Sequence, residues 1–515
     1  MIARQSVVEF GTRRVLVVAC VMLATLLQVL DATIVNVALP TIQGNLGANL
    51  DEGAWIVTGY IIAAVIVIPL TPWLQTRFGR KRYYVAAIAG FTVTSVLCGL
   101  STSLDELIVF RVLQGLCGGG LIATGIAILR DTFPPKQIGL SQALVSVGAV
   151  VGPSIGPTLG GILTDAYSWN WIFYINIVPG IVAALLAALY IRDPEPTRRA
   201  PVDGVGLGLL ALGLGSLQYV LGEGERNDWF ADGTIVLFTL LAVCGIAAFV
   251  LWELYGTKRP IVDLRILKNP TVAAGCLLAL ALGFNLFGGI VLGPQFNQSI
   301  LKFTATLSGE SVLIRAIAIL AGTPLALIAL SRWHVSPRIL LGIGFAVVGI
   351  ANFQQALVTT STADFWTFAW PLALGGLGFS QLFVPLNATV LGSVQGADTP
   401  KAASLLSLCQ QLGGSIATAT LITLLDRRAA VHYSALASDA VLSRAPVATF
   451  LHHSSAAVLY GTIVREAQTL SFADAFYVMA LITAMLLPLV ILLRVRRIVP
   501  APVPASGSPA PRPAA

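Results

Sequence analysis

The sequence predicts an all-α membrane protein that crosses the bilayer many times. Of its 515 residues, 56% are hydrophobic and only 11% are charged, whereas a soluble chain carries about 25% charged residues. Apolar runs recur from one end of the chain to the other, and each is close to the roughly 20 residues that cross the hydrocarbon core as a helix. Because lipid offers the backbone no hydrogen-bond partners, runs of this length form helices.

Fourteen apolar runs are long enough to count as membrane spans. They cover residues 14–38, 54–75, 83–101, 107–129, 138–163, 171–191, 204–222, 233–255, 271–299, 306–330, 338–358, 365–391, 401–425 and 475–493. The first run is too long for the apolar part of a signal peptide and lacks a small-residue cleavage site, so we expect it to be retained as the first helix. An even number of spans places both ends of the chain on the same side.

Basic residues indicate which side that is. Of the 31 Lys and Arg residues, 23 lie in the termini or in loops on the same side as the termini, for example the group from Arg77 to Arg82 after the second span. The opposite loops are mainly acidic, so the positive-inside rule predicts that both termini are cytoplasmic. The net charge of +7 is spread over short loops, and it therefore does not indicate a nucleic-acid-binding surface.

The cysteines, histidines and serines give no sign of a catalytic or metal site. All six cysteines lie within apolar runs and show no pairing by spacing, while the four histidines lie in loops or near helix ends. Residues 152–156 match the pattern G-x-S-x-G, but the strand-to-helix turn of a serine hydrolase is missing. We therefore expect no enzymatic activity, no bound metal and no cofactor.

Asp31 and Arg111 predict a charged site inside the membrane. Asp31 is the only acid that we place well inside a span, where a charge costs a few kcal/mol. It lies about two turns from the outer end of its span, and Arg111 lies about one turn inside the same face, so their depths differ by only a few ångströms. We predict an Asp31–Arg111 ion pair. The pair either fixes the helix register or relays protons, and we favour the relay because intramembrane acids usually lie on pathways.

Arg315 and several amides are candidates for a substrate cavity. Glu310 lies five positions before Arg315 and therefore on a different helix face. Arg315 either extends to the outer interface or faces a cavity, and we favour the cavity. A single amide within a span more often joins two helices than contacts a ligand. The cavity candidates are Gln28, Gln114, Arg315, Gln381 and Gln410.

Glycines recur with a period of four in the fifth span. They are Gly148, Gly152, Gly156 and Gly160. Such a smooth ridge lets a neighbouring helix approach closely, while Pro153 and Pro157 each remove a backbone donor and bend the helix. A closely packed, bendable helix suits a transporter whose two halves rock, and tight packing alone is the alternative.

Two further segments stand apart from the spans. Residues 426–474 form a long external loop in which Ala429–Val441 and Ala456–Gln468 have helical patterns, with Pro446 as a break. We favour a cap that lies on the membrane surface, and the alternative is a docking site for an envelope partner. Residues 498–515 are rich in Pro, Ala and Ser, and we expect them to form a disordered cytoplasmic tail.

Five motifs resemble those of the major facilitator superfamily, and more narrowly its fourteen-helix drug:proton antiporters, the EmrB/QacA-type branch. They are Leu30–Pro40, Pro72–Lys81 (with Gly79 and Arg80), Arg111–Gly115, Gly152-Pro153 with Gly160-Gly161, and Trp169–Asn176. The resemblance covers nearly the whole chain, and the fifth-span motif is the most specific for antiport. Pro72 replaces a usual glycine and Thr76 a usual aspartate, so we do not expect the cytoplasmic charge latch in its usual form. Gln410 replaces a common arginine.

The resemblance implies two six-helix bundles, residues 1–192 and 263–497, with two additional helices in 193–262. It implies proton-driven export of small hydrophobic or amphiphilic substrates across a bacterial inner membrane, with Asp31 and Arg111 linked to proton coupling. The loop 426–474 is similar to that of members that work with a periplasmic adaptor and, beyond it, an outer-membrane channel. An exporter of one dedicated metabolite or lipid, and a non-transporting membrane sensor or scaffold, are the alternatives.

Overall fold

The computed structural model describes residues 8–134, 137–193, 203–258, 260–394, 396, 398–440, 444, 447 and 454–493. The expected tail at 498–515 and the break at Pro446 lie outside these ranges. The α-helices are α1 Gly11–Leu46, α2 Leu50–Phe78, α3 Arg80–Leu100, α4 Leu104–Gly118, α5 Leu121–Thr132, α6 Ile138–Ala166, α7 Trp171–Tyr174, α8 Ile177–Tyr190, α9 Gly204–Glu223, α10 Gly233–Leu251, α11 Pro270–Ser299, α12 Ala305–Ser331, α13 Pro337–Val358, α14 Phe365–Gly392, α15 Asp398–Asp439 and α16 Ala456–Leu486.

All fourteen predicted spans correspond to helices of membrane-spanning length. Within the described ranges, thirteen helical stretches are long and apolar enough to cross a membrane; α4 and α5 together make one of them, and α7 and α8 another. The helix α6, with 29 residues, is about 44 Å long at 1.5 Å per residue and supplies the fourteenth. The chain is therefore an all-α, multi-pass membrane protein, as the hydropathy pattern predicts.

Polar caps hold the helix ends where the chain turns at the membrane surface. Asn49 accepts a bond from the Glu52 backbone N–H at 2.8 Å, and Glu52 returns one by accepting from the Asn49 N–H at 3.0 Å. Asp364 caps α14 by accepting from the Thr367 N–H at 3.1 Å. Hydrogen bonds from the side chain and then the backbone of Thr367 lower the pKa of this exposed carboxyl. Such caps satisfy the N–H groups that the first helical turn leaves free.

The helices pack in two groups joined by a smaller pair. In the first group, α1 packs on α6 and α8, while α2 and α3 pack on α4. In the second, α11 packs on α15, and α12 and α13 pack on α14. Between them in sequence, α9 pairs with α10 at Gly213 and Gly245, where a Cβ on Gly213 would lie 2.7 Å from the backbone nitrogen of Ile246.

The glycine ridge of α6 packs along α1, on both sides of Asp31 in the sequence. A Cβ on Gly152 would lie 3.2 Å from the backbone nitrogen of Leu30, and one on Gly160 would lie 2.9 Å from the carbonyl oxygen of Ile34. Gly148 and Gly156 approach Thr25 and Thr33 in the same way. The close approach is the one that a period of four predicts. The helix is continuous through Pro153 and Pro157, and the side chain of Pro153 lies outside the described residues.

The two groups meet at both ends of the bundle. The helices α6 and α12 run side by side: Gly309 at the start of α12 faces Thr158, and Gly139 at the start of α6 faces Leu327. The helix α15 also packs against α2 and α5. The two halves are therefore in contact at both ends of the α6–α12 pair.

The segment 426–474 differs from the expectation of a cap lying on the membrane surface. The helix α15 continues without interruption to Asp439, and α16 already begins at Ala456. At 42 residues, α15 is about 63 Å long, which exceeds the 40–45 Å of a whole bilayer. The helix α15 is therefore longer than a bilayer is thick, and its outer part pairs with α16 as a helical hairpin.

Contacts between the two helices explain why this hairpin stays helical. Arg428 Nε donates to Asp474 Oδ2 at 2.5 Å, and the same carboxylate oxygen lies 2.8 Å from His432 Nε2. Farther out, the Tyr433 and Tyr460 rings meet edge to face at 6.0 Å. Tertiary packing of this kind stabilises helices that hydropathy alone does not predict.

Candidate functional site

The Asp31 carboxylate lies inside the first helix group and is completely buried. Its Oδ2 accepts a bond from Arg111 Nη1 at 2.5 Å, and its Oδ1 accepts from Gln114 Nε2 at 2.9 Å and from Asn176 Nδ2 at 3.1 Å. The predicted Asp31–Arg111 contact is thus present. One ionic and two amide donors together compensate the burial of the charge, as a carboxylate in a low-dielectric interior requires.

Arg111 is also held by several contacts. Its Nη1 also donates to Gln114 Oε1 at 2.8 Å, and its Nε donates to the carbonyl oxygen of Ile56 at 3.1 Å. The Tyr60 ring lies across the guanidinium, with 4.2 Å between the guanidinium carbon and the ring centroid. Ile56 and Tyr60 of α2 thus hold the guanidinium in place. Movement of α1 relative to α2 and α4 would separate it from the carboxylate, which makes the pair sensitive to helix rearrangement.

Asn176 is the site residue that the sequence reading did not select. It sits at the junction of α7 and α8, and its Nδ2 also donates to Ser95 Oγ in α3 at 3.0 Å. Through Asn176 the buried carboxylate is connected to α3 and α8 as well as to α4. The only sequence signal was its place at the end of the Trp169–Asn176 motif.

The structure divides the five cavity candidates among four locations. Gln114 belongs to the Asp31 cluster. Gln28 accepts from the backbone N–H of Ile122 at 3.1 Å, and it thereby caps the first turn of α5 where the fourth span is broken. Gln410 lines a narrow cleft between the halves, together with Ile126 of α5 and Asn387 of α14.

Arg315 and Gln381 lie in the second helix group. Gln381 Nε2 donates to the carbonyl oxygen of Gly322 at 3.3 Å and so connects α14 to α12. Arg315 is 8% exposed, and its guanidinium carbon lies 4.4 Å from the centroid of the Phe379 ring. Among the described residues no carboxylate reaches Arg315, in contrast to Arg111.

Gly79 and Arg80 form the turn between α2 and α3 on the basic side of the bundle. Gly79 has φ of +89°, a conformation that favours glycine. Arg80 Nη1 donates to Asp131 Oδ2 at 2.9 Å, and Asp131 Oδ1 accepts from Arg130 Nη1 at 3.0 Å. Arg130 then donates to the carbonyl oxygen of Val394 at 2.9 Å, so this chain of charges ends on the second half.

Thr76, which occupies the position of the usual aspartate, takes no part in this connection. Its hydroxyl donates to the Pro72 carbonyl of its own helix at 2.8 Å. The link between the halves on this side runs instead from Arg130 to the carbonyl oxygens of Leu391, in the last turn of α14, and of Val394, just beyond it. The expectation that the usual latch is altered agrees with this arrangement.

A family model described as Major Facilitator Superfamily matches residues 21–418. The match begins within α1, includes the pair α9 and α10, and ends within α15. This chain belongs to the major facilitator superfamily.

Curated relatives of this facilitator chain cover most of its length. It is 36% identical over 428 residues to the multidrug export protein EmrB of Escherichia coli strain K12, which covers 83% of each chain. It is 36% identical to the protein of the same name from Haemophilus influenzae, with 83% of each covered. It is 35% identical to the fatty acid resistance protein FarB of Neisseria gonorrhoeae, with 84% of each covered.

Solved facilitator structures share the fold at low sequence identity. A proton:xylose symporter, XylE, superposes with a TM-score of 0.58 at 14% identity, covering 91% of this chain and 95% of the other. The human organic anion transporter MFSD10 gives 0.57 at 13% identity, covering 92% and 100%. Within the described part of this facilitator chain, no group of three His, Cys, Asp or Glu side chains is placed to hold a metal ion.

Proposed function

We propose that this facilitator is a proton-coupled antiporter that exports hydrophobic and amphiphilic compounds across a bacterial inner membrane, as in multidrug efflux. The names of the curated relatives support export, and they range from multidrug export to fatty acid resistance. The observation that carries proton coupling is the fully buried Asp31 carboxylate, bonded to a guanidinium that helix movement would withdraw.

In the proposed cycle, the substrate cavity opens between residues 1–192 and 263–497. Asp31 takes a proton from outside as substrate leaves, and it releases the proton inside as the next substrate binds. When helix movement withdraws Arg111, the proton takes its place at the Asp31 carboxyl, and renewed pairing with Arg111 accompanies release of the proton. Inward movement of each proton is also driven by the membrane potential, by about 2.3 kcal/mol per 100 mV.

The same proposal gives roles to the motifs on either side of the membrane. The α6 ridge against α1 guides the rocking of the halves, and the turn at Gly79 and Arg80 holds the inner side closed. The N- and C-termini are cytoplasmic. The hairpin of α15 and α16 projects on the opposite side and receives a periplasmic adaptor that leads to an outer-membrane channel. Deletion of residues 429–468 is expected to abolish adaptor pull-down, and pull-down that survives the deletion would contradict this role.

Everted membrane vesicles test the function. Vesicles that contain the protein are energised and offered a panel of neutral, cationic and acidic lipophilic compounds. The proposal predicts accumulation of several unrelated compounds and its loss when a protonophore collapses the gradient. Accumulation of a single endogenous compound would indicate the dedicated exporter, and no accumulation above vesicles without the protein would indicate the sensor or scaffold.

A further inference from the structure

The guanidinium of Arg315 is a buried cation without a bound anion in the described chain. Its one hydrogen bond runs from Nη2 to the carbonyl oxygen of Asn285, at 3.4 Å. Arg111, which is buried to a similar degree, has a carboxylate at 2.5 Å as well as amide and carbonyl acceptors. A buried charge is usually paired, because removal from water is costly.

The depth of Arg315 excludes escape to the membrane surface. It is ten residues from the start of α12 at Ala305, which corresponds to about 15 Å along the helix axis. An arginine side chain extends roughly 7 Å, which lets it reach the interface only from near a helix end. Of the two interpretations left open by the sequence, the structure thus favours an inward-facing role.

Among the described residues, the only hydrogen-bond acceptor at the N–H groups of the guanidinium is the carbonyl oxygen of Asn285. Phe379 covers one face of the plane at 4.4 Å, and such stacking does not use the N–H groups, which lie in the plane. Gly289 of α11 makes room for the group, because a Cβ there would lie 2.2 Å from Arg315 Nη1. Asn285 is occupied: its Oδ1 accepts from Asn352 Nδ2 and from Thr483 Oγ1, each at 2.8 Å.

We infer that Arg315 binds the carboxylate of an anionic amphiphile, with the acid group held by its free N–H edge. A planar guanidinium presents paired donors that match the two oxygens of a carboxylate. The phenyl ring of Phe379 supplies apolar contact beside the charge. The inference rests on the proposed export function and adds the substrate class to it: hydrophobic acids, recognised by α11, α12 and α14.

Binding of dodecanoate and of its methyl ester separates charge recognition from simple hydrophobic affinity. Radiolabelled dodecanoate is bound to the purified full-length protein by scintillation proximity, with either unlabelled compound as competitor. The acid is expected to compete about tenfold to a hundredfold better than the ester, the size of one charge-assisted contact. Arg315→Gln is expected to remove this preference while ester affinity stays the same, and Arg315→Lys to restore part of it.

Arg332→Gln is the matched control, because it removes the same charge from the exposed end of the same helix. An equal affinity of the wild-type protein for acid and ester, or an acid preference that survives in Arg315→Gln, would overturn the inference. Thermal unfolding of each variant ensures that a folded protein is compared.

Transport in everted vesicles then distinguishes a substrate from a resident membrane lipid. Dodecanoate is expected to accumulate with the wild-type protein and not with Arg315→Gln, whereas a neutral dye accumulates with both. Export of the dye without export of dodecanoate would contradict the inference and leave the proposed function intact. Export of neither compound would instead contradict the proposed function.

Discussion

Removal of Arg111 is expected to destabilise the protein mainly because it leaves the buried Asp31 carboxyl without its ionic partner. In Arg111→Gln the carboxylate keeps only the amide donors of Gln114 and Asn176, at 2.9 and 3.1 Å. Loss of one partner of a buried ion pair costs about 3 to 5 kcal/mol. Asp31→Asn is expected to cost a similar amount, because Arg111 is then the unpaired charge and the new amide N–H₂ opposes two donors.

The double variant tests this reasoning directly. With both charges removed, only amide contacts are disturbed, at a cost of about 1 to 3 kcal/mol. The sum of the single variants therefore exceeds the double variant by about 3 kcal/mol or more. Denaturant unfolding in detergent micelles measures this cycle, and the exposed pair Asp439–Arg444 serves as the control, with a coupling below about 1 kcal/mol. Additive effects of the two buried substitutions would refute the account of the pair.

Two further variants probe the helix contacts. Gly160→Ala places a methyl group 2.9 Å from the Ile34 carbonyl oxygen, so we expect the unfolding free energy to fall by about 1 to 3 kcal/mol. The control Gly293→Ala, with open space around it, is expected to show no loss. Equal stability of the two variants would contradict close packing of the glycine ridge on α1. Arg130→Gln removes the bonds to the carbonyl oxygens of Leu391, in the last turn of α14, and of Val394, just beyond it, so hydrogen exchange in that turn should become about tenfold faster. Unchanged exchange would show that the link does not hold the halves together.

Most of the fold was readable from the sequence because the bilayer imposes a simple rule. Each span must be apolar and helical, so hydropathy predicts its existence. This hydropathy rule applies only within the membrane. It predicts the last span at 475–493, whereas α16 begins at Ala456. Outside lipid, packing between two helices decides how far each helix extends, as at Tyr433 and Tyr460. A hydropathy pattern contains no information about the partner helix.

The site was predictable only in part, for a related reason. Asp31 and Arg111 are conspicuous because charges within spans are costly, and simple depth arithmetic brings them together. Asn176 carries no such penalty at a helix junction, so nothing local marks it as a ligand of the carboxylate. The bond between Arg130 and Val394 joins residues that are far apart in the chain, and its backbone acceptor leaves no trace in the side-chain pattern.

Substrate-induced proton release from proteoliposomes tests the central claim most directly. Purified protein is reconstituted with a pH-sensitive dye inside, and a transported compound is added in the presence and absence of a pH gradient. The account predicts proton flux with the wild-type protein and with Asp439→Asn, which removes an exposed acid, and no flux with Asp31→Asn. Coupled proton flux of normal rate through Asp31→Asn would contradict it.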